Sequence, residues 1–225
     1  MYDKTRWRES VPTTPGQRRY AIAAALLGWV GLTIQLYLIF YSRWADHASL
    51  LGGLVKFFSF FTVLSNTLAA TALTCAISSG MSAGHRFFRH PVVCGGITVS
   101  IVLVGIAYNL LLRHLWQPQG WQFIADELLH DVMPLAFLLY WWLYVAKGWL
   151  RGVHILLWML YPLGYFAYLL LRGDMLGDYV YPFIDIGTLG YPPALLNALG
   201  ILAGFVALAG LLLLVDRAWH KSDGA

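Results

Sequence analysis

Two short polar segments hold the residues able to do chemistry. Lys56, Ser59, Thr62, Ser65 and Asn66 fall within one stretch of eleven residues, and Asp126, Glu127, His130 and Asp131 within one of six. A hydroxyl becomes a nucleophile when a base lies within hydrogen-bond reach and a third group orients that base. Thr62 or Ser59 can supply the hydroxyl, and His130 the base. Asp126 precedes His130 by four residues, so on a helix its carboxylate can orient the imidazole; Glu127 shares the face, and either Asp126 or Glu127 can hold the base. Asn66, Asn109 or Lys56 can stabilise an oxyanion. On one continuous helix Ser59, Thr62 and Asn66 share an arc of about 60°, with Lys56 beside them. Pro134 follows His130 by one turn, frees a backbone carbonyl and can kink the helix.

Other chemistry fits less well. Glu127-x-x-His130 is half of a di-iron carboxylate motif, which occurs twice and adds further glutamates. This chain has only Glu9 and Glu127. A single zinc held by Glu127, His130 and either Asp131 or His114 stays open. Asp174, Asp178 and Asp185 lack the spacing of a calcium loop. No cofactor is expected. Each residue also has a plain structural role open to it. Buried Ser and Thr glue membrane helices or bond back to their own, Lys56 can snorkel to an interface, and Asp126 and Glu127 suit a helix start. His154 reads as interfacial, and His85 and His90 as solvated in a basic loop.

These residues sit in a chain built for lipid. Of its 225 residues 59% are hydrophobic and 12% charged, against about 25% charged in soluble domains. Ten Trp and thirteen Tyr suit two aromatic interface belts. Scattered basic residues do not form a nucleic-acid stripe. Cys75 and Cys94 lie in apolar runs and read as buried thiols.

Apolar runs at 21–41, 51–78, 92–112, 123–146, 152–171 and 191–215 each have the roughly 20 residues that cross a bilayer. The expected fold is all-α: six transmembrane helices in one bundle over 20–217, a basic segment before it and a short tail at 218–225. The first run is too long for a signal-peptide core and lacks a cleavage site, so it reads as a retained span.

Lys4, Arg6, Arg8, Arg18, Arg19, Arg86, Arg89, Lys147, Arg151, Arg217 and Lys221 fall on one side, and only Arg43, Arg113 and Arg172 on the other. The positive-inside rule then puts both termini in the cytoplasm. In that topology Lys56–Asn66, Asn109, Asp126–Asp131 and Asn197 all lie in the outer half. The long connection from Arg172 to Gly190, with Tyr181 and Asp185, caps them.

Three landmarks carry a resemblance: Phe60-Phe-Thr-Val-Leu-Ser-Asn66, Leu129-His-Asp-Val-Met-Pro134, and Tyr181-Pro-Phe-Ile-Asp185 followed by Leu189-Gly-Tyr191. From about residue 20 to 217 the chain resembles the bacterial six-span membrane proteins of the Pr-six-Pr family. That family is distantly similar to the androgen-induced and androgen-dependent membrane hydrolases, which cleave fatty acid esters of hydroxy fatty acids with an intramembrane Thr and a His. The resemblance implies His130 as the His and Tyr181-Pro182-Phe183 as the last-loop element. Aligning the Lys gives Ser59 as nucleophile, and aligning the Phe-Thr pair gives Thr62, which keeps the residue type.

The expectation is an intramembrane lipid ester hydrolase of the bacterial plasma membrane. Its partners are membrane lipids and a ligand in the outer-half pocket, with the acyl chain among Phe57, Phe58, Phe60 and Phe61. The alternative is a bundle that binds or transports a small molecule or lipid, for which broken helices and internal symmetry would speak.

Overall fold

A computed structural model of the chain describes residues 14–78 and 82–222. Lys4, Arg6 and Arg8 of the basic segment, and the end of the tail, lie outside them. Every regular element among the described residues is helical. The elements are α1 (Pro15–Ala45), α2 (Leu50–Phe58), α3 (Phe61–Ile77), α4 (Ala83–Arg89), α5 (Pro91–Ala107), α6 (Trp121–Glu127), α7 (Met133–Tyr144), α8 (Gly152–Leu176), α9 (Ile186–Leu189) and α10 (Tyr191–Ser222). A π-turn at Tyr108–Leu112 and a short 3₁₀ turn prolong α5 to Leu115, and a second π-turn at Leu128–Val132 joins α6 to α7.

Among the described residues four helices are long and apolar enough to cross a membrane, and five if α2 and α3 are one bent span. The helical stretch 121–144 carries Asp126, Glu127 and Asp131 and is not among them.

Capping fixes several starts. Thr14 Oγ1 accepts from Gln17 N–H with Pro15 in the first turn, and Ser49 Oγ caps α2, each satisfying an N–H that lacks an intrahelical partner. Small residues govern how closely the helices pack. Ala21, Ala24, Ala25, Gly28 and Gly31 form the buried stripe of α1. A Cβ on Gly28 would stand 2.8 Å from the Met133 side chain. Among lipid tails helices associate through such close packing and polar contacts rather than through the hydrophobic effect.

The contacts give the helix directions. Along α1, Gln35 meets Gln122, Gly31 meets Leu129, Gly28 meets Met133, and Tyr20 meets Ala136. Residues 121–144 therefore run antiparallel to α1. Trp29 bonds Thr74 near the far end of α3, while Leu32 packs with Val63 near its start, so α3 is antiparallel to α1 too. α5 packs against α3, α7 and α10 and is the most buried of the long helices. The main core gathers around Phe137, Trp141, Phe205 and Ile101. A smaller cluster of Leu32, Phe57, Val63, Ala70 and Leu129 lies beside the polar segments.

The run at 51–78, expected as one helix, is broken. α2 and α3 meet at 77° across Ser59 and Phe60. Ser59 N–H bonds Lys56 O and Phe60 N–H bonds Phe57 O, both three residues back, and Phe60 is extended. The ladder tightens, stops and restarts in a new direction. The expected arc of Ser59, Thr62 and Asn66 on one face therefore does not exist.

Candidate functional site

The break is what makes Thr62 distinctive. Five other hydroxyls in the bundle bond back to a carbonyl four residues earlier: Ser59 to Val55, Thr67 to Val63, Thr74 to Ala70, Thr98 to Cys94 and Ser100 to Gly96. Thr62 sits in the first turn of α3, where the carbonyl four residues back belongs to a different helix. Its Oγ1 instead lies 3.3 Å from His130 Nε2.

His130 occupies the π-turn between α6 and α7. Pro134 has no N–H for the His130 carbonyl, and π-turns are frequent at functional sites. A Cβ on Gly105 would stand 2.9 Å from that carbonyl oxygen, so only glycine lets α5 come this close. Two acceptors face His130 Nδ1: the Asp126 backbone carbonyl at 3.0 Å and the Asp126 carboxylate at 3.2 Å. With only acceptors on that side, the proton resides on Nδ1 and Nε2 keeps its lone pair for the Thr62 hydroxyl. Asp126 is 3% exposed; its other oxygen accepts a short hydrogen bond from Tyr108 O–H. The Tyr108 ring stacks on the imidazole, with centroids 3.9 Å apart and planes at 18°. Asp126, His130 and Thr62 thus form a carboxylate–imidazole–hydroxyl relay across two helices.

Phenols surround the start of α3. No side chain caps this helix in the usual way. Phe61 N–H donates to both Tyr165 and Tyr181 oxygens, each at 3.1 Å. Tyr165 O–H donates to Ser59 O at 2.8 Å. Burial pushes the Tyr181 phenol above its ordinary value.

Beside Thr62 is a cavity of about 200 Å³ lined from α3, α5, α8, α10 and the 181–184 segment. Its walls are apolar apart from Thr62, Tyr108, Tyr165 and Tyr181, and none of the lining residues is charged. Among the phenylalanines expected around an acyl chain only Phe61 lines it. Phe57 is buried in the smaller core cluster, Phe58 is exposed, and Phe60 packs on that cluster and on Tyr181. The wall comes instead from Leu103, Phe166, Leu199 and their neighbours. The 181–184 segment closes one end, held by Asn197 Nδ2–H donating to Phe183 O at 2.8 Å.

The remaining sequence candidates fall into other places. Ser59 is fully buried; its proton goes to Val55 O and its oxygen meets Tyr168. It has no base beside it among the described residues. Ser65 meets the Tyr161 hydroxyl at 3.2 Å. Asn66 uses both amide protons on the Thr62 and Leu129 carbonyls, tying α3 to the segment that carries His130 and leaving no proton for an oxyanion. Asn109 likewise spends both on Gly105 O and Asp131. Glu127 and Asp131 pair with Arg113 at the exposed rim, so Glu127 turns away from the relay. Lys56 is exposed, and among the described residues no hydrogen bond or ion pair joins it to the site. Asp185 caps α9 through Thr188. No group of three His, Cys, Asp or Glu side chains suited to a metal forms among the described residues.

Sequence reasoning missed Tyr108 and the α8 tyrosines. Tyr161, Tyr165 and Tyr168 follow the four-then-three spacing of one helix face, a signal that was available.

Compared with known proteins, the chain matches no family model, no curated protein and no solved structure.

Proposed function

We propose that this chain is an intramembrane hydrolase of lipid esters, with Thr62 as nucleophile and His130 as general base. One observation carries the reading: Thr62 Oγ1 lies 3.3 Å from His130 Nε2, on an imidazole whose other nitrogen faces only Asp126 acceptors. In the first step Thr62 Oγ attacks the ester carbonyl carbon as His130 takes its proton. Collapse of the tetrahedral intermediate breaks the ester C–O bond, and His130 protonates the departing alkoxide. Water, deprotonated by His130, then attacks acyl-Thr62 and returns the threonine and a free fatty acid.

The apolar cavity at Thr62 supports an acyl chain as the group held there. The bundle crosses the membrane six times with both termini in the cytoplasm, so the site lies in the outer half and substrate enters from the lipid. The proposed setting is a bacterial inner membrane, and the resemblance to the Pr-six-Pr proteins points the same way. A second reading, a non-catalytic binding or transport bundle, draws on the broken α2–α3 helix at the cavity.

Hydrolysis of p-nitrophenyl decanoate in detergent separates the two. Hydrolysis that Thr62→Ala and His130→Ala abolish and Ser59→Ala retains is the expected result. A folded wild type with no hydrolysis would move the assignment to the binding bundle.

A further inference from the structure

An ester-cleaving threonine needs a donor for the carbonyl oxygen as it becomes an oxyanion, and the two asparagines near the site have no proton left for it. Resting on the hydrolase reading, we infer that the Tyr181 phenol is the oxyanion donor, delivered to the nucleophile by the loop between α8 and α10.

Ser59 O–H is committed to Val55 O at 2.7 Å, so the 2.6 Å contact between Ser59 and Tyr168 takes its proton from Tyr168. Tyr165 O–H is committed to Ser59 O. The Tyr181 oxygen accepts from Phe61 N–H, which fixes the oxygen and leaves the proton to turn elsewhere. Tyr181 lines the cavity beside Thr62. Among the described hydrogen bonds none commits the Tyr181 proton to a backbone carbonyl or a serine, whereas Tyr165 and Tyr168 have spent theirs.

The ring is held firmly enough for the role. It stacks on Phe183 with centroids 5.1 Å apart and meets the edge of Phe60. A backbone N–H donating to the phenol oxygen polarises its O–H. When the ester carbonyl enters beside Thr62, the phenol O–H turns to donate a hydrogen bond to the carbonyl oxygen. No proton is transferred: the oxyanion stays charged in the intermediate, and its electron pair re-forms the C=O bond as the alkoxide leaves.

The test compares Tyr181→Phe with Tyr165→Phe on p-nitrophenyl decanoate, reading kcat and KM separately. Loss of one oxyanion donor lowers kcat by about 10²–10³-fold with little change in KM. Tyr165→Phe, whose proton is spent on Ser59, should cost less than about tenfold. Equal losses in the two variants, or an unchanged kcat in folded Tyr181→Phe, would overturn the inference while wild-type turnover leaves the hydrolase reading standing. An inactive wild type would overturn both. If Tyr181→Phe does not fold, difluorotyrosine at position 181 keeps the hydroxyl and lowers its pKa. The alkaline limb of the rate profile should then move to lower pH, and an unmoved limb would contradict the role.

Discussion

At the residue scale, the account depends on which nitrogen of His130 carries its proton. Asp126 supplies two acceptors to Nδ1, one carbonyl and one carboxylate. Asp126→Asn removes the charge that stabilises an imidazolium but keeps the backbone acceptor, so the tautomer survives. A triad aspartate replaced this way elsewhere costs about 10⁴ in kcat; here the retained carbonyl should limit the loss to about 10²-fold, measured by ester turnover. Ser59→Ala removes two buried hydrogen bonds and should lower stability by about 1 kcal/mol while leaving turnover intact, as thermal denaturation and kinetics would report. Residue types and the four-residue step made Thr62, His130 and Asp126 legible in the sequence. Tyr108, Tyr165 and Tyr168 were not read because tyrosine in a lipid-facing chain suggests an interface belt. Their spacing was visible, but their hydroxyl partners lie on other helices, and a single strand of sequence does not reveal them.

At the element scale, three irregularities build the site: the α2–α3 break and the π-turns at 108–112 and 128–132. Pro134 signalled an irregularity, expected as a kink and found as the second π-turn. Nothing announced the break, because neither Pro nor Gly occupies Ser59 or Phe60 and the apolar run continues through them. It is held by distant phenols that accept the Phe61 N–H, a tertiary cause that local sequence does not carry. Two substitutions probe the elements. Pro134→Ala restores an N–H and lets the π-turn relax to α-helix, moving His130 away from Thr62. The protein should stay folded with turnover reduced by about 10²-fold, the usual effect of a misplacement near 1 Å. Gly105→Ala puts a methyl 2.9 Å from the His130 carbonyl oxygen. It should lower both turnover and stability, the latter by about 1–3 kcal/mol; unchanged melting would show that α5 can yield there.

At the scale of the whole molecule, alternating helix directions bring the start of α3, the end of α5, the start of 121–144, the second half of α8 and the 181–184 segment to one end of the bundle. The all-helical class and the apolar runs were legible in composition and hydropathy. The role of α8 was not: the expected pocket left it out, yet it supplies both a cavity wall and the phenols. The proposed orientation puts that end outside the cell, which cysteine accessibility checks. With Cys75 and Cys94 replaced by Ala, Asp174→Cys should react with an impermeant maleimide in intact cells, and His85→Cys only after permeabilisation. The opposite pattern would invert the orientation.

The most direct test is to treat the detergent-solubilised protein with a fluorophosphonate and map the adduct by peptide mass spectrometry. The account predicts an adduct on Thr62 that disappears in His130→Ala and persists in Ser59→Ala. A folded wild type that forms no adduct, or forms it on Ser59, would contradict it.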